Sequence, residues 1–279
     1  MRSGQADLRK IASAQRALAR VTDRRRFTTT PVPTGDVTRA AKDAVGTIFP
    51  NRVSDPLHNE TVLKDGANNA KIGGDVLKGR LKGAHILTLT LEERATCPSS
   101  CSMWVTCYGN SMPHPKRWRH GPLLEKRIEQ EIAVACGAHK HVLVRLHVLG
   151  DFYSIKYVML WVKLLARFAN LTVFGFTAWP KETEIGRAVD ALRSKMPTRF
   201  CIRTSGIGGP WGSFTIDFPT SKLRLGDAIV CPEQVAAMNG DALKGQNGAE
   251  RQTRRMASRH CGNCTLCWET DHPIVFVEH

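Results

Sequence analysis

Between Ala84 and Gly206 the chain alternates short apolar runs with longer stretches of helical periodicity, and this alternation constrains its fold more than any other feature. AHILTLTL (84–91) reads as a strand. A helix follows from about Pro122 to Cys136, with Leu124, Ile128, Ile132 and Ala135 on one stripe and Pro122 where a missing N–H costs nothing. VLVRLHVLG (142–150) is a second strand, and a helix carrying Tyr157, Trp161, Leu164, Leu165 and Phe168 leads to a third in LTVFGFTAW (171–179). Another helix, from about Lys181 to Met196, leads to a fourth strand in RFCIRTSG (199–206). Strands separated by crossover helices pair in parallel. The expected class is therefore α/β, a partial or closed parallel (β/α) barrel with a Cys-rich C-terminal segment. Residues 1–60 read as a basic arm and irregular wrapping, 61–230 as a catalytic partial barrel, and 231–279 as a metal-binding segment packed on it. A short hairpin is expected at NNAKIGGDVLKG (68–79), where Gly73-Gly74-Asp75 supplies turn chemistry.

In parallel folds of this kind the reactive groups gather at the C-terminal ends of the strands. The unusual residues of this chain fall there: Cys97 to Cys107 after the first strand, Gly150 and Asp151 after the second, Thr177 and Trp179 on the third, and Arg203 and Ser205 on the fourth. Alternation adds a second signal. In VLVRLHVLG, Val142, Val144, Leu146 and Val148 share one face while Leu143, Arg145, His147 and Leu149 share the other. A strand covered on both sides should be apolar on both. Arg145 and His147 break that rule, as do Thr88, Thr90 and Arg203, and together they predict a polar chamber lining. Either Arg145 or His147 alone reads equally well as an internal residue satisfied by its neighbours, but burying the whole set for structure only would be expensive.

Seven of the nine cysteines form two groups: Cys97, Cys101 and Cys107, then Cys231 with Cys261, Cys264 and Cys267. No apolar run approaches a membrane span and the first residues lack the apolar stretch of a secretory signal. The expectation is a cytoplasmic chain with no membrane partner, in which clustered cysteines are thiolate ligands rather than disulfides. CGNCTLC has the C-x2-C-x2-C spacing that wraps three corners of a 4Fe-4S cluster, and Cys231 can supply the fourth. Zinc held by four thiolates is the alternative. The first group has the spacing C-x3-C-x5-C and no fourth cysteine nearby, so a cluster there would keep one iron open. A zinc could instead complete its shell with His114 or His147. Cys136 and Cys201 read as ordinary buried cysteines.

The formal charge is +15, with basic residues concentrated in the first 26 positions, at Lys116, Arg117 and Arg119, and at Arg251, Arg254, Arg255 and Arg259. Such a field favours a polyanion, with DNA ahead of RNA as the expected partner. A solvated basic surface is the plainer reading of the same charges.

TCPSSCSMWVTCYGN, RLHVLGDFYSIKYVMLW, VFGFTA and CGNCTLCW resemble the phage gene product 88 family, over about Asn68 to His279. In layout the chain is also similar to radical S-adenosylmethionine enzymes, which carry a three-Cys loop after the first strand and a Gly-rich acidic turn after the second. Cys97, Cys101 and Cys107 match the first feature, and Gly150 with Asp151 matches the second. The common spacing of those enzymes has two residues in the second gap where this chain has five, and a Glu where it has Asp.

What these resemblances imply, taken with the charge, which points to nucleic acid, is a phage iron–sulfur enzyme acting on nucleic acid in the host cytoplasm, using S-adenosylmethionine and drawing on an electron-donor protein. Gly150, Asp151, Thr177 and Ser205 would bind the cofactor, and Asp151, Arg145, His147 and Arg203 would serve the chemistry. A second expectation is a zinc-stapled base-exchange enzyme, similar to guanine transglycosylases, with Asp151 as nucleophile. A third is a metal-stapled nucleic-acid-binding protein without a reaction.

Overall fold

The three long helices begin where capping chemistry places them. Helix α1 (Pro122–Ala138) carries its proline in the first turn behind Gly121, whose φ of 135° suits only glycine. Helix α2 (Ile155–Arg167) is capped by Ser154, which accepts the Tyr157 N–H at 3.1 Å. Helix α3 (Glu184–Lys195) is capped by Thr183, which accepts the Gly186 N–H at 3.0 Å. The computed structural model describes residues 44–57, 60–216, 227–234 and 260–277. The basic helix expected within 1–26, the wrapping segment as far as 43, and Arg251, Arg254, Arg255 and Arg259 lie outside the described residues.

The strands in chain order are β1 (Val53–Ser54), β2 (Lys64–Asp65), β3 (His85–Thr88), β4 (Arg117–Trp118), β5 (Val142–Leu146), β6 (Leu171–Thr177), β7 (Phe200–Ser205), β8 (Gly212–Ile216), β9 (Ile229–Val230) and β10 (Ile274–Val277). Eight of them form one sheet in the order β2-β3-β5-β6-β7-β8-β10-β9. Every pairing in it is parallel except that of β2 with β3. Strands β1 and β4 make a separate parallel pair. The protein is thus a mixed α/β fold around a mostly parallel sheet, with α1, α2 and α3 as the crossovers between β3, β5, β6 and β7. In place of a hairpin over 68–79, the chain makes a short 3₁₀ turn at Gly66–Asn68 and a single antiparallel bridge from Asp75 to His85.

No helix joins β7 to β8, although a full parallel return needs a crossover of about a dozen residues. The register removes the need: Thr204 pairs with Gly212 and Ser205 with Ser213, so β8 begins beside the end of β7 and the chain only steps sideways. The Cys-rich segment is more than a piece laid on the sheet. Its last strand, β10, lies between β8 and β9.

Both faces of the sheet are covered. Val142, Val144 and Leu146 of β5, Leu171 and Val173 of β6, and Ile202 of β7 join the core under α1, α2 and α3. Each large apolar side chain buried there contributes about 1.5–3 kcal/mol. On the opposite face, Ile86, Leu143, Phe174 and Cys201 pack with Trp268 from the Cys-rich segment. Among the described residues no helix is long and apolar enough to cross a membrane.

Arg203, expected in the chamber lining as a group for the chemistry, is an anchor instead. It is 0% exposed and donates to the backbone carbonyls of Thr270 and of His272, the latter at 2.7 Å. Those carbonyls follow the short helices α4 (Cys261–Cys264) and α5 (Leu266–Glu269), so the guanidinium ties the segment that carries Cys267 to β7.

Gly175, within β6, permits a close approach. A Cβ there would lie 1.2 Å from the Leu146 carbonyl oxygen, which is backbone and cannot turn aside. Gly175→Ala is expected to destabilise the protein by at least the ~1–3 kcal/mol usual for overpacking, read as a lower Tm by circular dichroism.

Candidate active site

The loop that carries Cys97, Cys101 and Cys107 rests on a buried ion pair. Arg117 donates from Nε to Glu93 Oε2 at 2.7 Å and from Nη2 to Glu93 Oε1 at 3.0 Å, and both side chains are at most 1% exposed. The same guanidinium donates to the carbonyls of Gly109, Met112 and Pro115, while Thr47 donates its hydroxyl to Glu93. Every hydrogen-bonding group of a buried pair must be used if its desolvation is to be offset, and this arrangement meets that demand. Arg94 shapes the loop from inside. It has a φ of 64° and donates to the Trp104 carbonyl at 3.0 Å and to Asn110 Oδ1 at 2.6 Å, and Asn110 in turn donates to the Val105 carbonyl. After Cys107 a 3₁₀ turn, Tyr108–Ser111, is capped by the thiol itself, which accepts the Gly109 N–H at 3.4 Å.

The turn after β5 is fitted against the start of this loop. Gly150 has a φ of 82°, and a Cβ on it would stand 2.6 Å from both Leu91 Cβ and Thr96 Oγ1. Leu91 donates its N–H to the Leu149 carbonyl at 3.0 Å, and Asp151 donates its own to Thr96 Oγ1 at 3.1 Å. The Asp151 carboxylate joins two strand ends: Oδ1 accepts the Phe152 N–H at 2.7 Å and Oδ2 the Ala178 N–H at 2.6 Å, with Thr177 also bonded to it. Burial pushes its pKa up to about 7, against the pull of the Ala178, Phe152 and Thr177 hydrogen bonds. Asp151 lies near enough to Cys97 and Cys101 for its charge to raise both thiol pKa values.

None of the nine cysteines, all of them among the described residues, is in a disulfide. Burial raises the pKa of Cys97, Cys101 and Cys107, and Cys101 and Cys107 raise that of Cys97 further, so the three stand within electrostatic reach of one another. Burial likewise raises Cys231 and Cys261, with Cys267 the next largest contribution to each. Thiols held up in this way ionise only when a cation takes the proton's place, which is what a coordinated metal does. Cys231, Cys261, Cys264 and Cys267 line one pocket with Trp268 and Ile274. Among the described residues no group of three or more His, Cys, Asp or Glu side chains is drawn together as a single-ion site. Tetrahedral zinc, with Zn–S near ~2.3 Å, would close four sulfurs to about 3.8 Å of one another. A 4Fe-4S cluster would instead take each sulfur on a separate corner iron.

Several expected groups stand elsewhere. His147 leaves the face of Arg145, because β5 ends at Leu146 and the chain turns. Its Nε2 lies 3.0 Å from the Tyr157 hydroxyl of α2 and its ring meets Phe152 edge-on, so it belongs to the helix side of the sheet and not to the chamber lining. Burial, with help from Arg145, pushes its pKa down to about 3, which keeps it neutral. Ser205 is exposed at the end of β7, while Thr177 is buried beside Asp151. Cys136 and Cys201 lie buried in the two core clusters.

The basic cluster expected around the first Cys group is largely neutralised. Lys116 pairs with Glu60 at 2.6 Å, Arg119 with Asp55 at 3.0 Å, and Arg117 is buried on Glu93. Sequence reading missed Glu93, Arg94 and Thr96 as builders of the site. Their proximity to Cys97 in LEERATC was the available signal, but the partners Arg117 and Asn110 come from beyond the loop's own cysteines.

A family model described as gene product 88 matches residues 61–270, well over half of the chain. No curated protein and no solved structure gives a match.

Arg117→Met leaves Glu93 buried without its partner and is expected to cost about 3–5 kcal/mol of stability. Thermal melting checks the loss, and faster alkylation of Cys97, Cys101 and Cys107 by a thiol reagent checks that the loop has come loose.

Proposed function

The chain belongs to the phage-associated gene product 88 family, and within it we propose an iron–sulfur enzyme of the radical S-adenosylmethionine type that modifies nucleic acid. The observation that carries this reading is the fit of the three-Cys loop onto the Gly150–Asp151 turn at the C-terminal end of parallel strands. A cofactor held by the first must lie beside the second. On this reading the sheet curves into a partial or closed barrel whose mouth is that end.

Cys97, Cys101 and Cys107 would hold a 4Fe-4S cluster with one iron left open, and Cys231, Cys261, Cys264 and Cys267 a second one with a full ligand set. When bound, such a cluster with its cofactor supplies one-electron reduction, and the protein contributes binding, orientation and exclusion of water. Thr96, Gly150 and Asp151 set the distance between loop and turn. Asp151 fixes the strand ends of β5 and β6 through its two backbone bonds, so it acts as a brace. That role tells against an Asp151 nucleophile, since both carboxylate oxygens are already engaged and the residue is 3% exposed. Arg94 places a positive charge that lowers the pKa of Cys101 and Cys107, which favours their thiolates.

Nucleic acid is the partner supported by the charge of +15. With Lys116, Arg117 and Arg119 each paired to a carboxylate, the support for it comes from the rest of that charge.

Protein purified without oxygen is expected to be brown, with iron and sulfide in equimolar amounts, and to cleave S-adenosylmethionine when reduced. Cys101→Ala should abolish cleavage while leaving the iron of the second group in place. A colourless chain containing only zinc overturns the reading. Binding to DNA should weaken steeply with added salt, as counterion release requires, and a salt-independent affinity argues against a polyanion.

A further inference from the structure

Arg145 is a cation at a position where a strand covered on both faces calls for an apolar side chain. It stands on β5 in register with Thr88 on one side and Phe174 on the other. Its guanidinium lies 4.7 Å from the Phe176 ring centroid and 5.6 Å from that of Phe174. Both rings lead towards the same place. Phe174 meets Trp268 at 4.7 Å, and Trp268 lines the pocket bounded by Cys231, Cys261, Cys264 and Cys267. Phe176 meets Phe276 at 5.2 Å, and Phe276 packs with Cys231 and Cys264 on the cluster of Ile229, Leu266 and Ile274.

Among the described residues no carboxylate pairs with this charge. Its recorded hydrogen bond runs from Nη1 to the Leu146 carbonyl at 2.9 Å. Burial depresses its pKa, and the charges that oppose this are Cys261, Cys267 and Cys231. A partly buried cation without a counter-charge is costly, and the cysteines of the pocket are the ionisable groups within its electrostatic reach.

We propose that Arg145 is the built-in counter-charge of a four-thiolate metal centre at Cys231, Cys261, Cys264 and Cys267, and not a substrate-binding group of the chamber. It rests on the proposal above that these four thiols hold metal. Four thiolates outweigh the positive charge of the metal they bind, so the centre is an anion inside the fold. Arg145 offsets it from the far side of the two phenylalanine rings and favours both metal retention and, where the metal is an iron cluster, the reduced state. It is a positioning and tuning residue.

The test uses the full chain, anaerobically reconstituted with iron and sulfide, in three variants: Arg145→Met, Arg145→Gln and Arg145→Lys. Metal content of the second group is isolated in a Cys101→Ala background. The neutral variants are expected to lose that metal to a chelator roughly tenfold faster, the equivalent of one pKa unit of thiolate stabilisation. Their midpoint potential should fall by about 59 mV, a tenfold change in equilibrium for a one-electron couple. Arg145→Lys should restore most of both, which a purely steric role would not predict. Metal retention and potential unchanged in the neutral variants overturn the proposal, and so do neutral variants that fail to fold by circular dichroism with or without metal while Arg145→Lys folds. A parent chain that binds no metal at these four cysteines overturns the metal reading itself, a separate outcome seen before any Arg145 variant is compared.

Discussion

A parallel sheet has to be covered on both faces, and the way this chain meets that requirement governs the rest of its structure. On one face the solution is ordinary: three amphipathic crossover helices bury Val142, Val144, Leu146 and their neighbours. The other face is covered by loops and by the Cys-rich segment, whose regular parts among the described residues include the short α4 (Cys261–Cys264), α5 and β10. This segment buries Leu266, Trp268, Ile274 and Val275. It is held by β10 in the sheet, by Trp268 on Phe174, and by Arg203 on the carbonyls that follow α5. A metal bound by the four cysteines would add to these, since coordination energy becomes folding energy where no preformed site exists in the unfolded chain.

The C-terminal end of the sheet depends on a second solution. The three-Cys loop is long and contains little regular structure, so its backbone groups need partners from side chains. Glu93, Arg94, Asn110 and Arg117 provide them, two of these being charges that are stable in the interior only because they face each other. With the loop fixed, Gly150 can approach it without a side chain in the way, and Asp151 can tie the ends of β5 and β6 together. Rigid placement of two loops by a shared sheet is how α/β folds build sites from residues far apart in sequence.

The alternating pattern from Ala84 to Gly206 made the strands and helices legible, because period and capping are local properties; α1 begins at Pro122 as the proline demands. The pairing of Cys97–Cys107 with Gly150 and Asp151 was legible as well, since both follow strands whose ends lie on one edge. His147 was misread because alternation was carried past Leu146, where the strand stops. Arg117 and Arg203 were misread for another reason. An arginine in a basic run and an arginine buried on a carboxylate or on backbone carbonyls have the same sequence signature, and only long-range partners such as Glu93 and His272 tell them apart.

By itself the sequence determined the class of fold, the order of its central elements and the grouping of seven cysteines into three and four, because these follow from periodicity and spacing along the chain. The tertiary structure alone decided that β10 enters the sheet between β8 and β9, that the charges at Arg117 and Arg203 serve the scaffold, and that Arg145 lies over the rings of Phe174 and Phe176. Those outcomes depend on which groups meet across tens or hundreds of residues, where desolvation and pairing, not local preference, set the free energy.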